Sequence, residues 1–277
     1  MSGRRTFLTA VAVAIAMAAG VNAGVATAAA DRSADQKLVV IGATARSGRV
    51  IIRQALDAGY TVTGLARSPQ KLALQHDRLT LVKGDVRDVA SLEAALNGDE
   101  VVICMVGYPT PKDPTQEIGP VDLYTAMAEN LIHAMNTKGN RRLIIASSTG
   151  VEHRITGDCP EGDTPTDRWR WIARFLYADM AQMELMIADS GLEYVTLRPG
   201  FMVEEPARND IQTTTNGDTP AARVITYEDF AQFVLAQVEP GPFDGTEVGI
   251  FSDTIMDPVA ELKKYQERMR RQAEQQK

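Results

Sequence analysis

The chain has 277 residues, 44% of them hydrophobic and 23% charged, with 29 lysines and arginines against 36 aspartates and glutamates and a net charge of −7. That apolar share supports a packed core and excludes a disordered or fibrous chain. The acidic balance offers no attractive field to nucleic acid or to an anionic membrane, which leaves a small-molecule substrate as the expected partner.

In chain order, the first thirty residues stand apart. Arg4-Arg5-Thr6-Phe7-Leu8 leads into the uncharged run Ala10–Ala19, and Ala28-Ala29-Ala30 precedes Asp31. A charged start, an apolar stretch and small residues before a charge are the parts of a cleaved export signal. The paired arginines resemble a twin-arginine signal, although Gly3 and Thr9 stand where Ser/Thr and Lys are more usual. The competing reading is a membrane anchor, but a short Ala-rich run broken by Gly20 and Asn22 is too weakly apolar to span a bilayer. The expectation is export through the twin-arginine machinery to the periplasm or beyond, with no membrane partner after cleavage. Met1–Ala30 holds two arginines and no acid, so the remaining chain carries 27 basic and 36 acidic side chains, a balance of −9.

Strand-like runs then alternate with helix-length segments: strand Lys37–Ile41, helix Gly48–Ala58, strand Thr61–Ala66, a short helix near Pro69–Leu74, strand Leu79–Lys83, helix Val89–Leu96 and strand Glu100–Met105. Helix Pro120–Thr137 follows, with Val121, Tyr124, Met127, Ala128, Leu131, Ile132 and Met135 at helical spacing. Strand Arg142–Ala146, helix Trp171–Ser190 and strand Tyr194–Leu197 continue the pattern. Strands with few polar interruptions are buried on both faces. The predicted fold is therefore α/β, a doubly wound parallel sheet (Rossmann-like) in a single domain over residues 31–257, with its ligand at the carboxyl ends of the strands.

From about residue 199 the alternation loosens into small substrate-side elements. Asn209–Arg223, rich in Thr, Asn, Asp and Gly, is expected to be a surface loop or small lid. Thr226 is expected to cap a helix over Tyr227–Val238, with Asp229 at its third position, and Glu247–Phe251 to form a last short strand. Residues 258–277 form a strongly charged tail. Of the two cysteines, Cys104 lies in an apolar run and Cys159 in a polar one; a buried thiol and a disulfide are both open. No Cys/His spacing points to a metal.

The segment Val39–Gly48 carries the first functional signal. A strand breaks at Gly42 into Gly42-Ala43-Thr44-Ala45-Arg46-Ser47-Gly48, and a helix follows. Gly42 permits the sharp turn, the small Ala45 lets a diphosphate approach the backbone, and Gly48 lets the helix pack closely. Helix-start N–H groups and the positive end of the helix dipole then favour an anion. Sites that prefer NAD place an acid on the ribose about twenty residues later. Here the second strand ends in Ala66-Arg67-Ser68, so Arg67, with Arg46 and Ser68, is expected to hold a ribose 2′-phosphate, and the cofactor is NADP rather than NAD.

These segments together resemble the atypical short-chain dehydrogenases, notably the NmrA-like and biliverdin-IXβ/flavin reductase-type proteins. Gly84-Asp85-Val86-Arg87-Asp88, Ala146-Ser147-Ser148-Thr149-Gly150, Leu197-Arg198-Pro199-Gly200 and Ile225–Ala231 agree with that family in order. The resemblance implies that Asp85 and Val86 border the adenine, and that Gly107, Pro199 and Gly200 surround the nicotinamide.

Ordinary short-chain dehydrogenases use a Tyr-x-x-x-Lys pair, in which the lysine lowers the tyrosine pKa for proton transfer. Here Tyr177 is followed by Ala181, and no lysine lies between Lys138 and Lys263. Arg174, one helical turn before Tyr177, is a candidate substitute charge. Ser148 or Ser147 is expected to bond an acceptor, His153 is a candidate proton donor, and Trp169 and Trp171 either stack on a planar acceptor or anchor their segment. The expected activity is hydride transfer from NADPH to a small conjugated acceptor, flavin- or quinone-like, which takes its proton from water. The missing lysine equally fits a non-catalytic NADP-binding sensor or assembly factor. A sugar-nucleotide epimerase or dehydratase is the further alternative.

Overall fold

The computed structural model describes residues 36–109, 116–152, 170–215, 217, 219–220 and 223–255. The expectations for Met1–Ala30, His153, Cys159, Trp169 and the tail 258–277 lie outside these residues.

The chain begins with β1 (Lys37–Ile41), α1 (Arg46–Asp57), β2 (Thr61–Ala66), a 3-10 turn at Pro69–Leu72 and β3 (Leu79–Lys83). It continues through α2 (Val89–Ala95), β4 (Val101–Cys104), α3 (Leu123–Lys138) and β5 (Arg142–Ala146) to a second 3-10 turn, Thr149–Glu152. Helix α4 (Arg174–Ala188), β6 (Glu193–Pro199), β7 (Phe201–Val203), β8 (Ile211–Thr214), β9 (Val224–Thr226), α5 (Tyr227–Ala236) and β10 (Thr246–Ser252) complete it.

Eight strands form one sheet in the order β3-β2-β1-β4-β5-β6-β10-β8, and β7 pairs with β9 in a small second sheet. Every neighbour pair in the large sheet is parallel except β8 against β10. The apolar run of β1 shows why both faces must be covered. Val39 and Ile41 face a core built with α2, α3 and α4, while Leu38 and Val40 face a core built with α1 and α5. Ile51, Ile52, Ala55 and Leu56 carry α1 onto the sheet. Burying each of its larger aliphatic side chains contributes about 1.5–3 kcal/mol.

The doubly wound sheet predicted from the alternation is present. The region after residue 199 differs from expectation. Asn209–Arg223 is no free loop or lid over its first part, because Ile211–Thr214 pairs antiparallel with Ser252–Gly249 at the sheet edge. Its residues Gln212, Thr213 and Thr214 look loop-like because an edge strand meets solvent. Of the strands after 199, β8 and β10 extend the main sheet, while β7 and β9 pair with each other.

The Thr226 cap is observed: its hydroxyl oxygen accepts from Asp229 N at 2.9 Å. The fully buried Asp229 carboxylate in turn accepts from the Thr226 hydroxyl and from the backbone N–H groups of Arg208 and Asn209. One carboxylate therefore closes the N-terminus of α5 and ties the segment before β8 to it.

Candidate cofactor and acceptor site

The glycine turn sits where β1 delivers it to the carboxyl edge of the sheet. Gly42 has φ +90°, and a β-carbon there would lie 2.7 Å from the Met105 carbonyl oxygen. The N–H groups of Gly42 and Ala43 both donate to Leu65 O, at 2.9 and 3.0 Å, which clamps the turn to β2. A β-carbon on Gly48 would fall 2.3 Å from Gly42 O, so only glycine lets α1 start this close beneath the turn. Ala45 occupies the N-cap and has no side chain to cap with, and no acid lies in the first turn. The N–H groups of that turn have no intrahelical acceptor. An anion fits there, with Thr44 and Ser47 half-buried beside it.

The arginines around the turn divide. Arg46 is exposed, with Nη1 3.4 Å from Glu204 Oε1 and its guanidinium 5.6 Å from the centre of the Tyr227 ring. Arg46 thus faces Glu204, just after β7, and Tyr227, the first residue of α5. Arg67 follows β2 directly and is exposed, and Ser68 opens the 3-10 turn by accepting from Lys71 N at 3.0 Å. The arginine that reaches this flank is Arg49, which sequence reasoning passed over. Its Nε donates to Thr44 O at 3.0 Å and its Nη2 to Lys71 O at 2.6 Å.

Beyond β3, Asp85 and Val86 form a built rim. Ser91 Oγ accepts from Asp85 N and donates to Asp85 O, both at 2.9 Å, and Asp85 Oδ1 accepts from Arg87 N at 3.0 Å. Val86 is buried, and Asn130 donates to its carbonyl at 2.9 Å.

The other half of the edge holds the candidate chemistry. Gly107 follows β4 and is exposed, and among the described residues no atom beyond its chain neighbours lies within 4 Å of where a β-carbon would stand, which leaves room for a ligand. The neighbouring Tyr108 N donates to the phenol oxygen of Tyr124, whose burial pushes its pKa up. Ser147 is buried, its N–H donates to Leu197 O at 2.7 Å, and its Oγ has no partner among the described residues. Ser148 Oγ accepts from Gly150 N at 3.2 Å, which leaves its proton for another acceptor. Tyr177 lies flat on Gly150: a β-carbon there would come within 2.3–2.6 Å of three ring atoms. The structure thus brings Tyr177 to the Ser147–Gly150 segment. Gly150 belongs to the noted end of β5, but no local pattern in the sequence announces the contact.

Arg174 supplies no charge directed at a substrate, because it pairs with Glu117, donates to Trp171 O and stacks on the Trp171 and Phe175 rings at 4.1 and 4.4 Å. Gly200 is buried, and a β-carbon there would lie 2.7 Å from Arg223 O, beside the pairing of β7 with β9. Pro199 is half-buried at the end of β6. Behind Tyr177, Asp179 accepts from Tyr124 N, Thr125 N and the Thr125 hydroxyl, closing the N-terminus of α3 from across the helix pair. Cys104 is buried, and burial pushes its thiol up to about 12, so it stays protonated.

Residues 42–240 match the family described as NAD(P)H-binding. Cinnamoyl-CoA reductase 1 of Petunia hybrida is 31% identical over 201 residues, a match that covers 65% of this chain and 57% of that protein. The chain therefore spans little more than half the length of that relative. Among solved structures, a short-chain dehydrogenase/reductase from Veillonella parvula DSM 2008 in complex with NADP superposes with a TM-score of 0.61 at 18% identity, covering 79% of this chain and 96% of that one. An anaerobillin reductase from Escherichia coli O157:H7 does so with a TM-score of 0.60 at 16% identity, covering 80% and 99%. Likeness at that identity bears on the fold.

Proposed function

The chain belongs to the NAD(P)H-binding family, with the fold of the atypical short-chain dehydrogenases, and from that premise we propose that it is an NADPH-dependent reductase of a small conjugated acceptor, flavin- or quinone-like. One observation carries the cofactor half: an uncapped, acid-free helix start on a glycine turn, flanked at the end of β2 by Arg67 instead of an acid. The turn would hold the diphosphate through backbone N–H groups, Asp85 and Val86 would border the adenine, and Arg67 with Ser68 would take the 2′-phosphate. NADPH supplies a hydride when bound.

On the acceptor side, Ser147 Oγ is a buried hydroxyl without a partner, which a substrate oxygen or nitrogen would satisfy. Tyr177 closes the wall beside it. Ala181 stands where the lysine of the usual pair would be and Arg174 is committed to Glu117; a conjugated acceptor can take its proton from water. The same observation favours a second reading, an NADP-binding sensor or assembly factor that performs no turnover.

Stopped-flow NADPH oxidation against flavins, quinones and aldehydes separates the two. We expect turnover with at least one conjugated acceptor; tight NADPH binding with no turnover on any would leave the sensor. Arg67→Ala is expected to lower the NADPH-to-NADH affinity ratio about tenfold or more, as loss of a charge-assisted pair does. An unchanged ratio would overturn the 2′-phosphate assignment.

We also propose that Met1–Ala30 directs export through the twin-arginine machinery to the periplasm or beyond, on the strength of Arg4-Arg5-Thr6-Phe7-Leu8 and Ala28-Ala29-Ala30. Replacing Arg4 and Arg5 by lysine in a reporter fusion should block export. Undiminished export would point to another route.

A further inference from the structure

We infer that Arg49, and not Arg46, is the second cation of the 2′-phosphate subsite, so that the choice of NADP over NAD rests on Arg49 together with Arg67. The inference deepens the cofactor reading above and depends on it. Three observations carry it.

The first is position. A glycine-turn site reads the adenosine ribose between the first turn and the end of the second strand. Arg49 bridges those two walls, with Nε on Thr44 O in the glycine turn and Nη2 on Lys71 O in the 3-10 turn that follows Arg67 and Ser68. Arg46, three residues earlier, reaches instead toward Glu204 and the first residue of α5, Tyr227.

The second is charge. Both bonds of Arg49 end on neutral carbonyls, so its full positive charge is available to an anion. Arg46 faces the Glu204 carboxylate, which offsets its field at the same place. A phosphate at Arg46 would have to displace a carboxylate; at Arg49 it would displace water alone.

The third is geometry. A guanidinium carries its N–H donors in a planar fork. Anchoring Nε and one Nη on carbonyls fixes that plane, and the remaining donors keep a set direction. An arginine held in this way loses little side-chain entropy when a third, anionic partner arrives, which raises its contribution over that of a free surface arginine.

The test uses the full purified chain with 2′,5′-ADP and 5′-AMP as probes, because they differ in the 2′-phosphate and share the adenosine. Titration calorimetry on the wild type, Arg49→Gln, Arg49→Lys and Arg46→Gln gives the ratio of the two affinities. Arg49→Gln should lower that ratio about tenfold with 5′-AMP affinity held within about twofold, and Arg49→Lys should recover part of the loss. Arg46→Gln should leave the ratio unchanged. If Arg49→Gln weakens both probes equally, Arg49 merely braces the turn and the inference falls. It falls also if Arg46→Gln lowers the ratio and Arg49→Gln does not. Should Arg49→Gln not fold, Arg49→Lys decides by the same ratio. A wild type that prefers neither probe would overturn the NADP reading itself, a result distinct from either of these.

Discussion

The two ends of the sheet treat their polar groups in opposite ways. At the end where the strands begin, buried polar groups close on one another. Glu100 accepts from Asn97 N, Asn97 Nδ2, Gly98 N and Asn140 Nδ2. Burial alone would push its carboxyl up, yet the hydrogen bonds from Asn97 and Asn140 prevail and hold it below the usual value. Arg142 donates to Gln237 O, Glu239 O and Asp244 Oδ1, while among the described residues Arg142 Nη1 and Asn140 Oδ1 there find no partner. At the end where the strands finish, the α1 start is uncapped, Gly107 is open and Ser147 Oγ is unpaired. The helix-start N–H groups, the open backbone at Gly107 and the Ser147 hydroxyl lie together at this end, where a ligand can supply the missing bonds.

The largest expected effect probes the closed end. Arg142→Met removes one partner of a buried network and should destabilise the fold by about 2–3 kcal/mol in urea unfolding. NADPH affinity of the folded fraction should stay within about twofold. A parallel loss of affinity would mean that the two ends are not separate in function.

The open end should answer differently. Ser147→Ala deletes an unsatisfied hydroxyl, so stability should hold or rise by up to about 1 kcal/mol while turnover with the acceptor falls. Thermal unfolding and steady-state rates on the same preparation check both halves. A loss of stability would show that the hydroxyl is bonded within the fold.

The smallest effect is acid sensitivity at the closed end. The hydrogen bond from Arg142 holds the Asp244 carboxyl below the ordinary value of 3.8. A depressed carboxyl stabilises the fold fully above its unfolded value and loses that contribution as the pH falls through its folded one. The stability gap between wild type and Asp244→Asn should therefore be constant above about pH 5 and shrink toward zero below about pH 4, measured as urea midpoints. A gap independent of pH would remove the Arg142 pairing as its cause.

How much of this was legible in the sequence depends on distance along the chain. The glycine turn, the parallel strands and the Thr226 cap rest on residues within a few positions of one another, and local pattern revealed them. Strand β8 was hidden because its partner β10 lies some 35 residues later, and its Thr and Gln side chains resemble a loop's. The contacts of Arg46 and Arg49 were hidden for the same reason: they are made with Glu204 and Lys71, which no spacing rule connects to them. Tyr177 was found as a residue type, whereas its seat on Gly150 required the fold.

The place of β10 has a consequence for how the chain comes together. It lies between β6 and β8, although it is made after both. Until it arrives, β6 presents a bare edge of unpaired backbone and β8 has no neighbour to join. A nascent chain that has completed the glycine-turn half therefore still carries an open template to which another copy can bind. Assembly of the right-hand half is gated by its last strand, and a slowdown between synthesis of β6 and β10 should be the interval in which this protein is most easily lost to aggregation.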